Sequence, residues 1–119
     1  MAAKQLYGGM PMVAFNFQPR FAAKILSGDK KHTFCMTERC KRGDAMHLYT
    51  GLHTKGAILL AEVPCIYVAA YTLNDGPNDL EHMEKFARTD GFENADDMVS
   101  FFRAMKCTFP LRGFLHGWL

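Results

Sequence analysis

The sequence has no apolar run long enough to cross a bilayer. Its longest uncharged stretches, 5–19 and 63–74, fall short of the roughly 18 apolar residues a transmembrane helix needs, and glycine, proline or asparagine interrupts both. Gly8-Gly9 and Pro11 break the first of them, so it does not read as a signal peptide either. Cysteine is scarce. Cys35, Cys40, Cys65 and Cys107 form no C-x-x-C pair, which argues against a zinc site. With no export signal, the four read as reduced thiols in a cytoplasmic protein. No two of His32, His47, His53, His82 and His116 stand at a metal-ligand spacing, so no metal and no other cofactor is expected. Internal repeats, linkers and low-complexity tracts are absent. Net charge is small, +2, too balanced to announce a nucleic-acid partner by itself.

What is present is a folding composition. The 119 residues are 49% hydrophobic and 13% aromatic, enough for one real core and one domain. Charge is divided along the chain. Up to Lys55 there are nine basic and three acidic residues; beyond it there are five basic and nine acidic. Such a division makes either one polarised surface that attracts phosphate or merely solvated faces.

Residues 1–11 read as a loose lead-in and 12–119 as a single domain. Val13, Phe15 and Phe17 alternate with Ala14 and Asn16, the pattern of a half-buried strand. Pro19 suits a first helical turn, Phe21, Ile25 and Leu26 keep helical spacing, and Gly28 is a left-handed stop. Short strands are expected at 31–36 and 45–50, the second with Met46, Leu48 and Thr50 on one face. Residues 57–70 read as one long strand, or two, bent near Pro64. Asp79 is expected to cap a helix carrying Leu80, Met83, Phe86 and Ala87. Asn94 caps a second helix, with Asp97 at the capping-box position and Met98, Phe101, Phe102 and Met105 on its core face. A final strand covers 111–118. The fold class is α+β: a small β-barrel with one early helix and a late helical pair. Barrel closure would remove the exposed sheet edges.

Three segments together resemble the ASCH family, a branch of the PUA-like β-barrel superfamily. The first is Arg20-Phe21, Ile25-Leu26, Gly28, Lys30 and Thr33, similar to the family run R-F-x-x-x-I-L-x-G-x-K-x-x-T. The second is Gly43-Asp44, Leu48-Tyr49-Thr50-Gly51 and Thr54-Lys55. The third is Ala87-Arg88-Thr89-Asp90-Gly91-Phe92 with Met98-Val99-Ser100-Phe101-Phe102-Arg103. Gly113-Phe114-Leu115 and Trp118 also look like the small phage and prophage members. The resemblance implies a PUA-like barrel, an RNA-related role, and a cleft lined by residues 28–33. One bacterial branch hydrolyses the acetyl amide of N4-acetylcytidine with a Lys, a Thr three residues later and a distant Glu. Lys30 and Thr33 match the first two, and Asp90 lies near the third, one methylene shorter. Many members have Ile-Arg after the Thr, where this chain has Phe34-Cys35. Either Arg39 or Arg42 then supplies that charge, or part of the family's anion binding is lost.

Each residue also has a plainer reading. Lys30 is a solvated lysine, or a base whose proton affinity a desolvating cleft has lowered. Thr33 is an ordinary strand residue, or a nucleophile. It would serve as one with Lys30 only if an irregular start to the strand brings them to one side. Asp90 is a helix-terminus residue, or the acid that orients Lys30 and protonates the leaving amine. Tyr49 packs, or stacks on a base while Lys55 contacts phosphate. Arg20, Arg39 and Arg42, with Lys24 and Lys41, are solvated singly or form a basic rim. The expected function is binding of RNA or a modified nucleoside, with hydrolysis of an acylated cytidine by Lys30, Thr33 and Asp90. The competing expectations are a non-catalytic single-stranded RNA-binding module, a ribonuclease, and a small domain that targets a host protein.

Overall fold

The computed structural model describes residues 5–7 and 10–119. Its elements run β1 (Gln5–Tyr7), β2 (Met10–Phe17), a 3-10 turn (Pro19–Phe21), α1 (Ala22–Ser27), β3 (His32–Cys35), β4 (Ala45–Thr50), β5 (Ile58–Pro64), β6 (Tyr67–Leu73), α2 (Pro77–His82), α3 (Glu84–Thr89), α4 (Ala95–Ala104) and β7 (Leu111–Gly117). Part of the expected lead-in is therefore strand: Gln5–Tyr7 pairs antiparallel with the start of β2. Residues 1–4, also placed in the lead-in, lie outside the described residues.

The fold is α+β, with two sheets. One is ordered β1-β2-β4-β5 and the other β3-β7-β6. No closed barrel is found among the described residues. β5 and β6 are separate strands in different sheets, and Pro64 stands where the chain changes sheet. The corner is held from both sides. Cys65 N–H donates to the Asp44 carbonyl, Gly43 N–H to the Cys65 carbonyl, and Ile66 N–H to the Gly117 carbonyl.

β2 buries Val13, Phe15 and Phe17 and exposes Asn16, as its alternation predicts. It pairs parallel with β4, which takes β5 on its other side. β4 is covered on both faces, so Ala45 and His47 are buried along with Met46, Leu48 and Thr50.

Gly28 closes α1 in the left-handed region at φ 85°. The chain then folds back, and Lys30 N–H donates to the Lys24 carbonyl at 2.9 Å. The single helix expected around Leu80 to Ala87 is two short ones, broken at Met83. Gly76, not Asp79, is the residue before its first turn, because Pro77 occupies the first helical position. Asn94 caps α4 by accepting from Asp97 N–H at 2.8 Å, while the Asp97 carboxylate accepts from Glu93 N–H. α4 buries Ala95, Met98, Val99 and Phe102, the i, i+3, i+4, i+7 set. Met105 lies just past the helix end and is 56% exposed, so it is not a core residue.

Phe21, Phe92, Phe101, Phe102 and Phe34 form a chain of mostly edge-on ring contacts under α4, with centroids 5.2–6.1 Å apart. Burying one such side chain stabilises by about 1.5–3 kcal/mol. This cluster fixes the early turn against α4 and so sets the distance between Lys30 and the end of α3. No helix among the described residues is long and apolar enough to cross a membrane.

Candidate functional site

Lys30 and Asp90 are sixty residues apart in sequence and meet in the interior, each 2% exposed. Lys30 arrives there because the left-handed Gly28 turns the chain inward after α1. Asp90 is delivered by the C-terminus of α3, where its N–H donates to the Phe86 carbonyl. The Lys30 ammonium nitrogen donates to the Asp90 backbone carbonyl and to its carboxylate Oδ1, the latter at 3.3 Å. Phe17 and Phe21 wall the amine, their centroids 5.4 and 5.0 Å from Nζ. Gly91 makes the meeting sterically feasible. A Cβ there would lie 3.0 Å from Lys30 Cδ and 3.0 Å from a Phe21 ring carbon, and its φ of 98° excludes most other residues.

Burial pushes the Lys30 amine below the ordinary lysine value, against the opposing pull of Asp90. A lysine in this setting gives up its proton more readily than a free one. That is the first requirement for a general base.

His32 completes the cluster. Its Nδ1 lies 2.8 Å from Asp90 Oδ1 and its Nε2 2.9 Å from Thr89 Oγ1. The Thr89 hydroxyl donates to the Lys85 and Phe86 carbonyls, both at 3.0 Å. Its single hydrogen has these two carbonyls and His32 Nε2 within reach. Strand alternation extended back from Thr33 puts positions 30 and 32 on one side.

Thr33 is half-buried and stands opposite His116 in the β3–β7 ladder. It alternates with His32, and it is not among the hydrogen-bond partners of Lys30 or Asp90. Lys30 precedes the strand, so the irregular start expected there is present. Cys35 has the Arg39 guanidinium beside its thiol. Burial nonetheless pushes that thiol up. Arg39 also donates to the Ala14 carbonyl at 2.7 Å and lies 4.3 Å over the Phe15 ring. Of the two arginines expected to replace the missing charge, Arg39 is the one placed next to position 35.

The remaining predicted residues are dispersed. Arg20 is ion-paired with Asp97 and lies over Phe21, Phe92 and Phe101, which ties the early turn to α4. Tyr49 is half-buried on β4 between Asn16 and Leu59. Lys55 is exposed in the turn after β4, and Arg42 is exposed in the loop before Gly43.

His116 is fully buried. Its Nε2 accepts from Arg39 N–H at 3.0 Å, pinning the loop at 36–44 to β7, and burial pushes its pKa down. Cys40 and Cys65 are buried neighbours whose thiols share a hydrogen bond; all four cysteines are thiols. An open groove of about 350 Å³ lies over β6 and β7, lined by Met36, Tyr71, Thr72, Arg112 and Phe114 among others. None of the predicted site residues lines it. No family model, no curated protein and no solved structure matches this chain.

Proposed function

We propose that the chain is an ASCH-type domain of PUA-like architecture that hydrolyses the exocyclic amide of an acylated cytidine. The observation that carries this reading is the buried Lys30–Asp90 pair. Two of the three residues singled out in the sequence converge across sixty positions, and the lysine of the pair has a lowered proton affinity. A buried lysine without a task is a cost to folding that an apolar residue of the same length would avoid.

In the proposed reaction the Lys30 amine takes the proton of the attacking hydroxyl, from Thr33 or from a water that Thr33 orients. That oxygen adds to the acyl carbon. The C–N bond to the cytosine ring then breaks as the leaving nitrogen receives a proton through the Lys30–Asp90 pair. The products are a carboxylic acid and the free cytidine amine. If Thr33 carries the acyl group in between, a second water releases it. The Arg39 guanidinium beside Cys35 is the cation nearest the position where the family places its arginine, and it would face the developing oxyanion.

Incubation of the purified protein with N4-acetylcytidine, followed by chromatography, tests the reading. Cytidine release is expected, with loss of at least about a hundredfold in Lys30→Met and Thr33→Ala. Retained release in Lys30→Met would remove the assignment. No release from the wild type, together with salt-sensitive capture of single-stranded RNA, would replace hydrolysis by simple binding.

A further inference from the structure

We infer that His32 is a positioning residue for the Lys30 amine: its ring, held between Thr89 Oγ1 and Asp90 Oδ1, donates Nδ1–H to that carboxylate and so moderates the negative charge that Lys30 faces. The inference rests on the reading of Lys30 as a base, and it adds a residue that neither the motif nor its spacing marks.

Nδ1 and Asp90 Oδ1 are 2.8 Å apart, and two lone pairs at that separation would repel, so one hydrogen lies between them. A carboxylate only accepts, so Nδ1–H is the donor. At the other end of the ring Nε2 lies 2.9 Å from Thr89 Oγ1, whose one hydrogen has Nε2 and the Lys85 and Phe86 carbonyls within reach. The ring is held at both ends. The carboxylate shared by His32 and Lys30 therefore carries less free negative charge than an isolated aspartate.

The other groups around the amine do not replace this effect. From β3, Cys35 reaches Lys30 electrostatically, and burial keeps it a neutral thiol with Arg39 alongside. From β6, Tyr67 faces Asp90, and burial keeps it a neutral phenol. From β2 and the early turn come only the Phe17 and Phe21 rings. Among these described groups, Asp90 is the one anion facing Lys30 and His32 is the partner that moderates it. His32 is also wedged against Phe86, ring centroids 5.0 Å apart, so its orientation is set by packing as well as by hydrogen bonds.

The test is a pH titration of Lys30 Cε and Nζ by NMR on uniformly labelled protein, the signal assigned by its loss in Lys30→Met. His32→Phe keeps the ring against Phe86 and removes both nitrogens. His32→Leu removes both nitrogens and the ring. In both variants the Lys30 midpoint is expected to move up, lowering the neutral amine about tenfold at fixed pH for each unit moved. In the wild type, histidine ring correlations are expected to show a proton on His32 Nδ1. A Lys30 midpoint that stays or falls in the variants that fold would overturn the inference. So would a wild-type His32 with bare Nδ1, a reading that needs no variant. A shifted midpoint without any release of cytidine would support the inference and sink only the hydrolysis.

Discussion

Lys30 is the residue on which the molecule's stability and its chemistry pull in opposite directions. Its folded pKa lies below the ordinary 10.5, so between those two values the unfolded chain binds more protons than the folded one. Stability therefore rises with pH through that window, and the penalty of burying Lys30 is greatest toward neutral pH. Lys30→Met keeps the length of the side chain and removes the charge, while Asp90 keeps His32 as its partner. Thermal melts at pH 7 should show the variant at least as stable as the wild type, with a rise of about 4 °C for each kcal/mol gained. The advantage should shrink as the pH approaches 10.5. A variant that melts well below the wild type at pH 7 would mark Lys30 as a structural ion-pair partner instead. Lys30, Thr33 and Asp90 were legible in the sequence only through a motif. Propensity alone made the first a surface lysine and the last a helix terminus. His32 was not legible, because its role depends on Thr89, fifty-seven positions away, being presented by the last turn of α3.

Elements meet at points where a single hydrogen bond fixes one against another. The clearest is the bond from Arg39 N–H to His116 Nε2, which holds the loop at 36–44 on β7. A protonated Nε2 cannot accept that bond. Burial lowers the folded pKa of His116 from its ordinary 6.5, so its contribution is complete above 6.5 and is lost as the pH falls through the folded value. Melts at pH 7.5 and 5 should show the wild type losing stability, and His116→Phe losing less across the same interval. At pH 7.5 that variant should be weaker by about 1–3 kcal/mol, because Arg39 N–H is left without its acceptor. An equal acid loss in the two proteins would show that other groups control it. At this scale the sequence read well where signals are local. Gly28, Asn94 and the alternation of β2 all act through neighbours within a turn. It read poorly where a neighbour is remote. Nothing near Met83 announces that two helices meet there, and Met105 keeps helical spacing although the helix has ended.

Over the whole molecule, the basic first half and the acidic second half partly satisfy each other. Arg20 pairs with Asp97 and Lys24 with Glu93, both across the contact between the early turn or α1 and the region of α4. These partners are substantially exposed, and such pairs contribute about 0–1 kcal/mol each. Raising salt from 0.05 to 1 M should therefore shift the melting temperature by no more than a few degrees. A large fall would show that the charge division carries the fold. The same pairing explains why a charge count did not locate a nucleic-acid surface: Arg20 and Lys24 were available on paper and are engaged in the fold. Topology was the least legible layer. The parallel pairing of β2 with β4 and the transfer of β5 and β6 to different sheets are long-range choices. A strand pattern records which face is buried and says nothing of which strand lies alongside.

Gly91 joins two of these scales. Any side chain at position 91 would press on the Lys30 stem and the Phe21 ring together. The two positions are therefore expected to co-vary through descent. A homologue that acquires a side chain at 91 should already have lost the lysine at 30, and one that keeps the lysine should keep the glycine. Among homologues, that paired glycine and lysine would separate chains retaining the buried amine from those that have kept only the fold.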